Sequence, residues 1–349
     1  MKIAKSVEKL VAYVPGEQPV SPDVVKLNTN ENPYLPSPKI AEVLSNFKLD
    51  KLRKYPDPVF KELRAKIAGI YGGKIENVFV GNGSDEVLSV AARAFVDDDE
   101  AIGSFDPSYS LYKTLADIRN VAFVPSPLAE DFLWAQPRVD NVALFLLTNP
   151  NAPTSVMYDK SRIAEFASSF PGVVIIDEAY ADFSGQSCVD LAIKAGNDNI
   201  IVMRTLSKSF SLAGLRLGFC IGPANLIEAM YKVKDSYNVD AIAQTVALAA
   251  LNDMPWMLEN VRKVIATRER LMGELRSRGW QMPDSSSNFL FAKPAHKQAK
   301  CVFEELRKRN IFVRYFPGPR TGDRIRITIG TDSEVDRLIA AIDEIDVEG

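Results

Sequence analysis

The sequence predicts an α/β protein: a large domain built on a mostly parallel central sheet, joined to a smaller α+β lobe. Short β-branched runs alternate with longer helical patterns through the middle of the chain, those runs are apolar on both parities, and the pattern changes character beyond about residue 260. A strand covered by helices on both faces has no wet side, so its side chains do not alternate between apolar and polar.

The expected strands of the large domain are residues 77–80, 142–147, 173–176, 200–203 and 215–221. From about residue 261 a long charged helix, RKVIATRERLMGELRSRG, runs to Gly279. A strand at 288–292, a helix at 299–309 and strands at 311–315 and 324–329 complete the second unit. Residues 1–35, rich in Pro and Asn, read as an arm packed on that smaller lobe. The expected division is therefore 1–35, 36–260 and 261–349.

Composition narrows the function. Of 349 residues 46% are hydrophobic, enough for a large core, and 42 basic against 45 acidic residues give a net charge of −3. That balance lacks the cationic excess of a general nucleic-acid binder and favours a small-molecule ligand. The single histidine, His296, rules out a multi-His metal site and would have to serve any Ser-His-Asp triad. Cys188, Cys220 and Cys301 are far apart, with no C-x-x-C pair, and read as reduced thiols in ordinary packing. Asp97–Glu100 reads as a solvated turn rather than a metal site. Lys2, Lys5, Glu8 and Lys9 interrupt what would be the apolar core of a signal peptide, so the expected location is cytoplasmic.

In an open parallel sheet the ligand lies beyond the carboxyl ends of the strands, and there the polar residues collect. Residues 77–80 are followed by Gly81-Asn82-Gly83-Ser84-Asp85-Glu86 at a helix start, which either caps the helix or offers N–H groups to a phosphate. Asp177-Glu178-Ala179-Tyr180 and Ser207-Lys208-Ser209 follow two other strands, with Gly214-Leu215-Arg216 after the lysine. A carboxylate and an amine ending buried strands form either a structural ion pair or a reactive site. With Tyr109 and the turn Asn149-Pro150-Asn151-Ala152-Pro153-Thr154, they supply what pyridoxal phosphate requires: a lysine, a carboxylate for the ring nitrogen, an aromatic face and donors for a phosphate. Neither G-x-G-x-x-G nor G-x-x-x-x-G-K-[ST] occurs, which disfavours a dinucleotide-binding dehydrogenase and a P-loop NTPase.

The run Thr205-Leu-Ser-Lys208-Ser-Phe-Ser-Leu-Ala-Gly-Leu-Arg216, with Asp177-Glu-Ala-Tyr180 and Gly83-Ser-Asp-Glu86, resembles the fold-type I pyridoxal-phosphate aminotransferases, and among them the histidinol-phosphate aminotransferase family. The resemblance extends from Asn28-Thr-Asn-Glu-Asn-Pro-Tyr34 through Lys54-Tyr-Pro-Asp57 to Arg324-Ile-Arg-Ile-Thr-Ile-Gly-Thr331. It implies that Lys208 holds the cofactor's aldehyde, Asp177 bridges its ring nitrogen, Tyr180 bonds its ring hydroxylate and Tyr109 stacks on the ring. The phosphate would lie on Gly83, Ser84 and Asp85, with Thr205 or Ser207 and Arg216 adding side-chain contacts. Tyr55 would reach it from a neighbouring subunit, implying a homodimer with shared sites.

Where the family carries Asn before Pro-Thr-Gly, this chain has Ala152, with Ser155 in place of the glycine. Asn151 is the substitute candidate, Asn149 the next, unless both only shape the turn. For substrate, the resemblance implies that Arg326 grips an α-carboxylate, that Arg314 and Arg326 together hold a substrate phosphate, and that Tyr13 and Asn30 close over it. The implied reaction is transamination between histidinol phosphate and 2-oxoglutarate in histidine biosynthesis. The alternatives are an aminotransferase for aromatic or related amino acids and a threonine-phosphate decarboxylase.

Overall fold

The computed structural model describes residues 2, 3, 5–8, 10, 16–19, 23–193, 196 and 198–347. Its strands in chain order are β1 (Val25–Lys26), β2 (Val78–Gly81), β3 (Ala101–Asp106), β4 (Ala122–Pro127), β5 (Val142–Thr148), β6 (Val173–Asp177), β7 (Ile200–Thr205), β8 (Gly218–Ile221), β9 (Phe289–Ala292), β10 (Ile311–Phe312), β11 (Arg314–Tyr315) and β12 (Ile325–Thr328). Seven of them form the main sheet in the order β2-β8-β7-β6-β5-β3-β4. Its pairings are parallel from β7 through β4, whereas β8 runs antiparallel to both β2 and β7.

Both faces of this sheet are covered, as the unbroken apolar runs require. Ile175, Ile201 and Met203 pack into one hydrophobic cluster, while their neighbours Val174, Ile176, Ile200 and Val202 pack into the other. Every one of these side chains is removed from water. Burial of this kind contributes roughly 1.5–3 kcal/mol per large aliphatic side chain, so it outweighs the weak intrinsic preferences of individual strands.

Two strands of the main sheet were not anticipated. β3 contains Gly103 and Ser104, and β4 carries Pro125 and Pro127, so neither reads as a β-branched run. Proline is tolerated in β4 because that strand is the sheet edge. Gly103 is required where it stands, since a Cβ there would lie 2.8 Å from the ring of Phe145 on the neighbouring strand. The long helix spans Met254–Ser277, beginning before the expected boundary at 260/261, with Pro255 in its first turn and Gly279 beyond its end at φ 80°.

The second unit holds the antiparallel sheet β11-β12-β9 and the parallel pair β1-β10. β1 thus ties the N-terminal segment to the C-terminal third of the chain. Leu27 extends the tie, donating to the Phe312 carbonyl at 2.7 Å and accepting from Thr328 N–H at 2.9 Å. No described helix is long and apolar enough to cross a membrane.

One buried ion network joins the loops after β6 and β7. Arg204, near the end of β7, donates to Glu178 at 2.8 Å and to Asp182 at 2.6 Å, and Asp182 accepts from the Ser209 hydroxyl at 2.5 Å. The side chains of Arg204 and Glu178 are 7% and 1% exposed. Such a pair is weak evidence of net stability, but removing one partner strands the other charge without water. The variant Arg204→Met is expected to lose about 3–5 kcal/mol of unfolding free energy. Urea titration checks this; a loss below about 1 kcal/mol would mean that the carboxylates find other partners.

Candidate active site

The aligned ends of β5, β6 and β7 open onto a cavity of about 560 Å³. Register places Thr148 beside Asp177 and Asp177 beside Met203, so the residues that follow these strands arrive at one wall together. Lys208, three residues past β7, extends Nζ into the cavity, where it donates to the Thr29 carbonyl at 3.2 Å and lies 5.9 Å from the Tyr180 ring centroid. Burial first, then the Arg326 cation, lowers its pKa from 10.5 to about 8, against the opposing pull of Glu31 and Asp85. A neutral, nucleophilic amine is therefore accessible near neutral pH.

Asp177 is almost fully buried at the end of β6 and faces the same cavity. Its Oδ2 accepts from the Tyr112 hydroxyl at 2.8 Å and its Oδ1 from Ala179 N–H at 3.1 Å. Burial raises its pKa to about 6, and these two hydrogen bonds restrain the rise. Above that pH the carboxylate is charged and suited to an N–H cation. Tyr180 receives Asn30 Nδ2 on its hydroxyl at 3.0 Å, and Asn30, held at φ 56°, is fixed in turn by Thr328. Asn32 donates to the carbonyls of Lys208 and Ser209, so the N-terminal segment also grips the lysine loop.

An anion cradle lies at the start of the helix Ser84–Phe95. Gly83 precedes it at φ 84° and brings no capping side chain, which leaves the first-turn N–H groups to water or to a ligand. Two absent side chains make room for it. A Cβ on Gly218 would stand 2.5 Å from the Ser84 nitrogen, and one on Gly83 would stand 2.7 Å from Arg216 Nη2. Arg216 pairs with Asp85 at 3.2 Å, and the hydroxyls of Thr205 and Ser207, 2.9 Å apart, complete the rim. Tyr109 forms a side wall, edge-on to Tyr112 with ring centroids 5.6 Å apart.

Arg314 and Arg326 face each other across β11 and β12 and line the cavity together. Both guanidinium groups lie over Phe316, at 5.5 and 5.2 Å, and Arg326 donates to the Asn28 carbonyl at 3.0 Å. Two guanidinium groups set opposite one another on paired strands give this wall donors suited to a phosphate or a carboxylate.

The expectation of a ligand contact from the Asn149–Thr154 turn is corrected. Asn151 does not face the cavity: its amide donates to the Pro107 carbonyl and to Thr154, and its Oδ1 accepts from Ser108. Asn149 is bound at both ends of its amide to Tyr158. Both asparagines therefore shape the turn, and Ala152 and Pro153 present the surface toward the ligand. Tyr55 is outside the cavity of its own chain, 80% exposed and stacked on Tyr237 at 4.3 Å. Tyr13 lies outside the described residues. Sequence reasoning missed Tyr112, which reads as an ordinary core aromatic, and Glu31, which lines the cavity beside Lys26 and Thr29.

The donor set and the cradle fit pyridoxal phosphate: Lys208 for the aldehyde, Asp177 for the ring nitrogen, Tyr180 for the ring hydroxylate, and the Ser84 helix start with Arg216 for the phosphate. Gly218→Ala is expected to weaken cofactor binding about tenfold or more, because the added methyl displaces the helix start; absorbance titration reads this, and unchanged affinity would contradict the cradle. The rate at which the cofactor-free chain takes up pyridoxal phosphate should rise with pH and level off above about 8, whereas a rise continuing to the ordinary lysine value of 10.5 would show an unperturbed amine.

Comparison with known proteins agrees with this chemistry. The family profile of class I and II aminotransferases matches residues 22–342. Histidinol-phosphate aminotransferase of Rippkaea orientalis is 42% identical over 346 residues, covering 99% of both chains. Histidinol-phosphate aminotransferase 1 of Burkholderia pseudomallei is 43% identical over 347 residues, covering 97% of each. Among solved structures, the histidinol-phosphate aminotransferase of Sinorhizobium meliloti in complex with pyridoxal-5'-phosphate has the same fold, with a TM-score of 0.87 at 22% identity over 99% of this chain and 98% of that one. The L-threonine-O-3-phosphate decarboxylase of Porphyromonas gingivalis shares the fold too, with a TM-score of 0.81 at 20% identity over 93% of this chain and 100% of that one. The chain belongs to the class I and II aminotransferase family and is an aminotransferase whose cofactor is pyridoxal phosphate.

Proposed function

We propose that this aminotransferase exchanges the amino group between L-histidinol phosphate and 2-oxoglutarate, giving imidazole acetol phosphate and L-glutamate in histidine biosynthesis. The observation that carries this reading is the Arg314–Arg326 pair on the cavity wall. Adjacent guanidinium groups can take either a phosphate or a carboxylate by charge-assisted, bidentate hydrogen bonds, so one pocket serves both substrates. The names of relatives more than 40% identical over nearly the whole chain support the same donor.

The bound cofactor supplies an aldehyde carbon and a ring that withdraws electrons from the reacting carbon. Asp177 would keep the ring nitrogen protonated. Lys208 would hold the aldehyde and, as a neutral amine when free of it, its Nζ would serve as the base at the substrate carbon. Tyr180, steadied by Asn30, would bond the ring hydroxylate, and Tyr109 would offer an aromatic surface to the ring. Arg326 orients the α-carboxylate of glutamate, and Arg314 joins it for the phosphate of histidinol phosphate.

The exposed Tyr55 is assigned to a neighbouring subunit's cofactor phosphate, in a homodimer. Leu49, Leu52 and Val59, all exposed in the single chain, flank it in sequence and offer an apolar face for a second copy. Mixing inactive Lys208→Ala chains with impaired Tyr55→Ala chains should then restore activity by assembling one intact site per mixed dimer; absence of restoration would contradict sharing.

Two further outcomes test the reaction. Mixing the yellow holoenzyme with histidinol phosphate alone should convert the cofactor to its pyridoxamine form, and 2-oxoglutarate should reverse it. Conversion by phenylalanine but not by histidinol phosphate, or release of carbon dioxide from threonine phosphate, would assign another substrate to the same fold. Asp177→Asn is expected to retain much of the cofactor yet lose turnover about a hundredfold or more, and an unimpaired rate would contradict its role.

A further inference from the structure

We propose that Tyr112 is a positioning residue that, through a one-way chain of hydroxyls, holds Asp177 in the charged state the cofactor ring needs. The geometry is direct. Tyr112 is fully buried on the helix Leu111–Arg119; its hydroxyl lies 2.8 Å from Asp177 Oδ2 and 2.6 Å from Thr148 Oγ1. Beyond Thr148 the chain ends: Ser108 Oγ lies 3.3 Å from Thr148 Oγ1, and its one proton goes to Asn151 Oδ1 at 3.2 Å.

Proton counting sets the direction. An ionised carboxylate only accepts, so the one hydroxyl proton of Tyr112 points at Asp177. The 2.6 Å contact with Thr148 then needs the threonine's proton, which makes Thr148 the donor to Tyr112. Each bond polarises the next toward the carboxylate. Protonating Asp177 would break this order, because the new O–H would meet an oxygen whose own proton already points at it.

The surrounding charges give the chain its importance. Two other carboxylates, Asp85 and Glu178, oppose ionisation of Asp177, and both are occupied, Asp85 by Arg216 and Glu178 by Arg204. The Tyr109 phenol also faces Tyr112. Besides the Ala179 N–H, the Tyr112 hydroxyl is the donor that restrains the effect of burial on Asp177. Nothing in this depends on which amino donor the enzyme uses.

The test is the equilibrium dissociation constant of pyridoxal phosphate, measured without substrate across pH for the full-length protein and for Tyr112→Phe. Lys208 and the cofactor phosphate titrate alike in both proteins, so the ratio of the two constants isolates Asp177. The affinity break expected near the Asp177 pKa of about 6 should move upward in the variant. Loss of a hydrogen bond to a charged group predicts a displacement of about one to two pH units. Retention would then be several-fold weaker at neutral pH and equal at high pH, with the acid limb of kcat displaced in the same direction while KM changes little. A pH-independent ratio, or no displacement, would overturn the proposal and leave Tyr112 a space-filling residue. Should Tyr112→Phe fail to fold, Thr148→Val must move the break in the same direction by a smaller amount; an unmoved break there also overturns it.

Discussion

The structure of this active site depends on one buried guanidinium. Arg204 binds Glu178, the neighbour of Asp177, and Asp182, which lies two residues beyond Tyr180 and itself holds Ser209, the neighbour of Lys208. The carboxylate, the tyrosine and the lysine sit at the ends of two different strands and in the loops that follow them, yet their neighbours share one set of hydrogen bonds with Arg204 at its centre. Parallel strands in register bring these loops to the same edge, and the ion network then limits how each can turn. Buried charge is costly, so its presence here is explained by geometry rather than by net stability.

A second constraint is electrostatic balance. The cavity sets cations at its anion-binding ends, Arg216 by the helix start and Arg314 with Arg326 on the small sheet, and places the lysine between them. Two of these cations, Arg326 and Arg216, also help to keep the Lys208 amine neutral, so the groups suited to anions also favour its nucleophilicity. The N-terminal segment closes the arrangement: residues 25–27 pair with the small sheet, while Asn30 and Asn32 reach Tyr180 and the lysine loop.

Much of this was legible in the sequence because buried parallel strands print as unbroken apolar runs and their functional residues follow directly after them. Asp177, Tyr180, Lys208 and the Gly83-Ser84-Asp85 helix start were visible for that reason. β3 and β4 were not, since Gly103 and Ser104 interrupt one and the other is a proline-bearing edge. Tyr112 carried no signal, because a tyrosine on the apolar face of a helix reads the same whether its hydroxyl is needed or not. Asn151 misled in the opposite sense: an asparagine in a proline turn at a strand end suggests a ligand contact, but its amide is consumed by the Pro107 carbonyl and Thr154. For the substrate, only the resemblance pointed to Arg314 and Arg326, and their pairing across β11 and β12 needed the register to be known.

The central claim is that the strand-end cavity holds pyridoxal phosphate through Lys208. Reducing the holoenzyme with borohydride, digesting it and locating the retained pyridoxyl group by mass spectrometry tests this most directly. The account predicts one modified peptide, carrying Lys208 within Thr205-Leu-Ser-Lys208-Ser-Phe. Modification at Lys113 or Lys26 instead, or none at all, would contradict it.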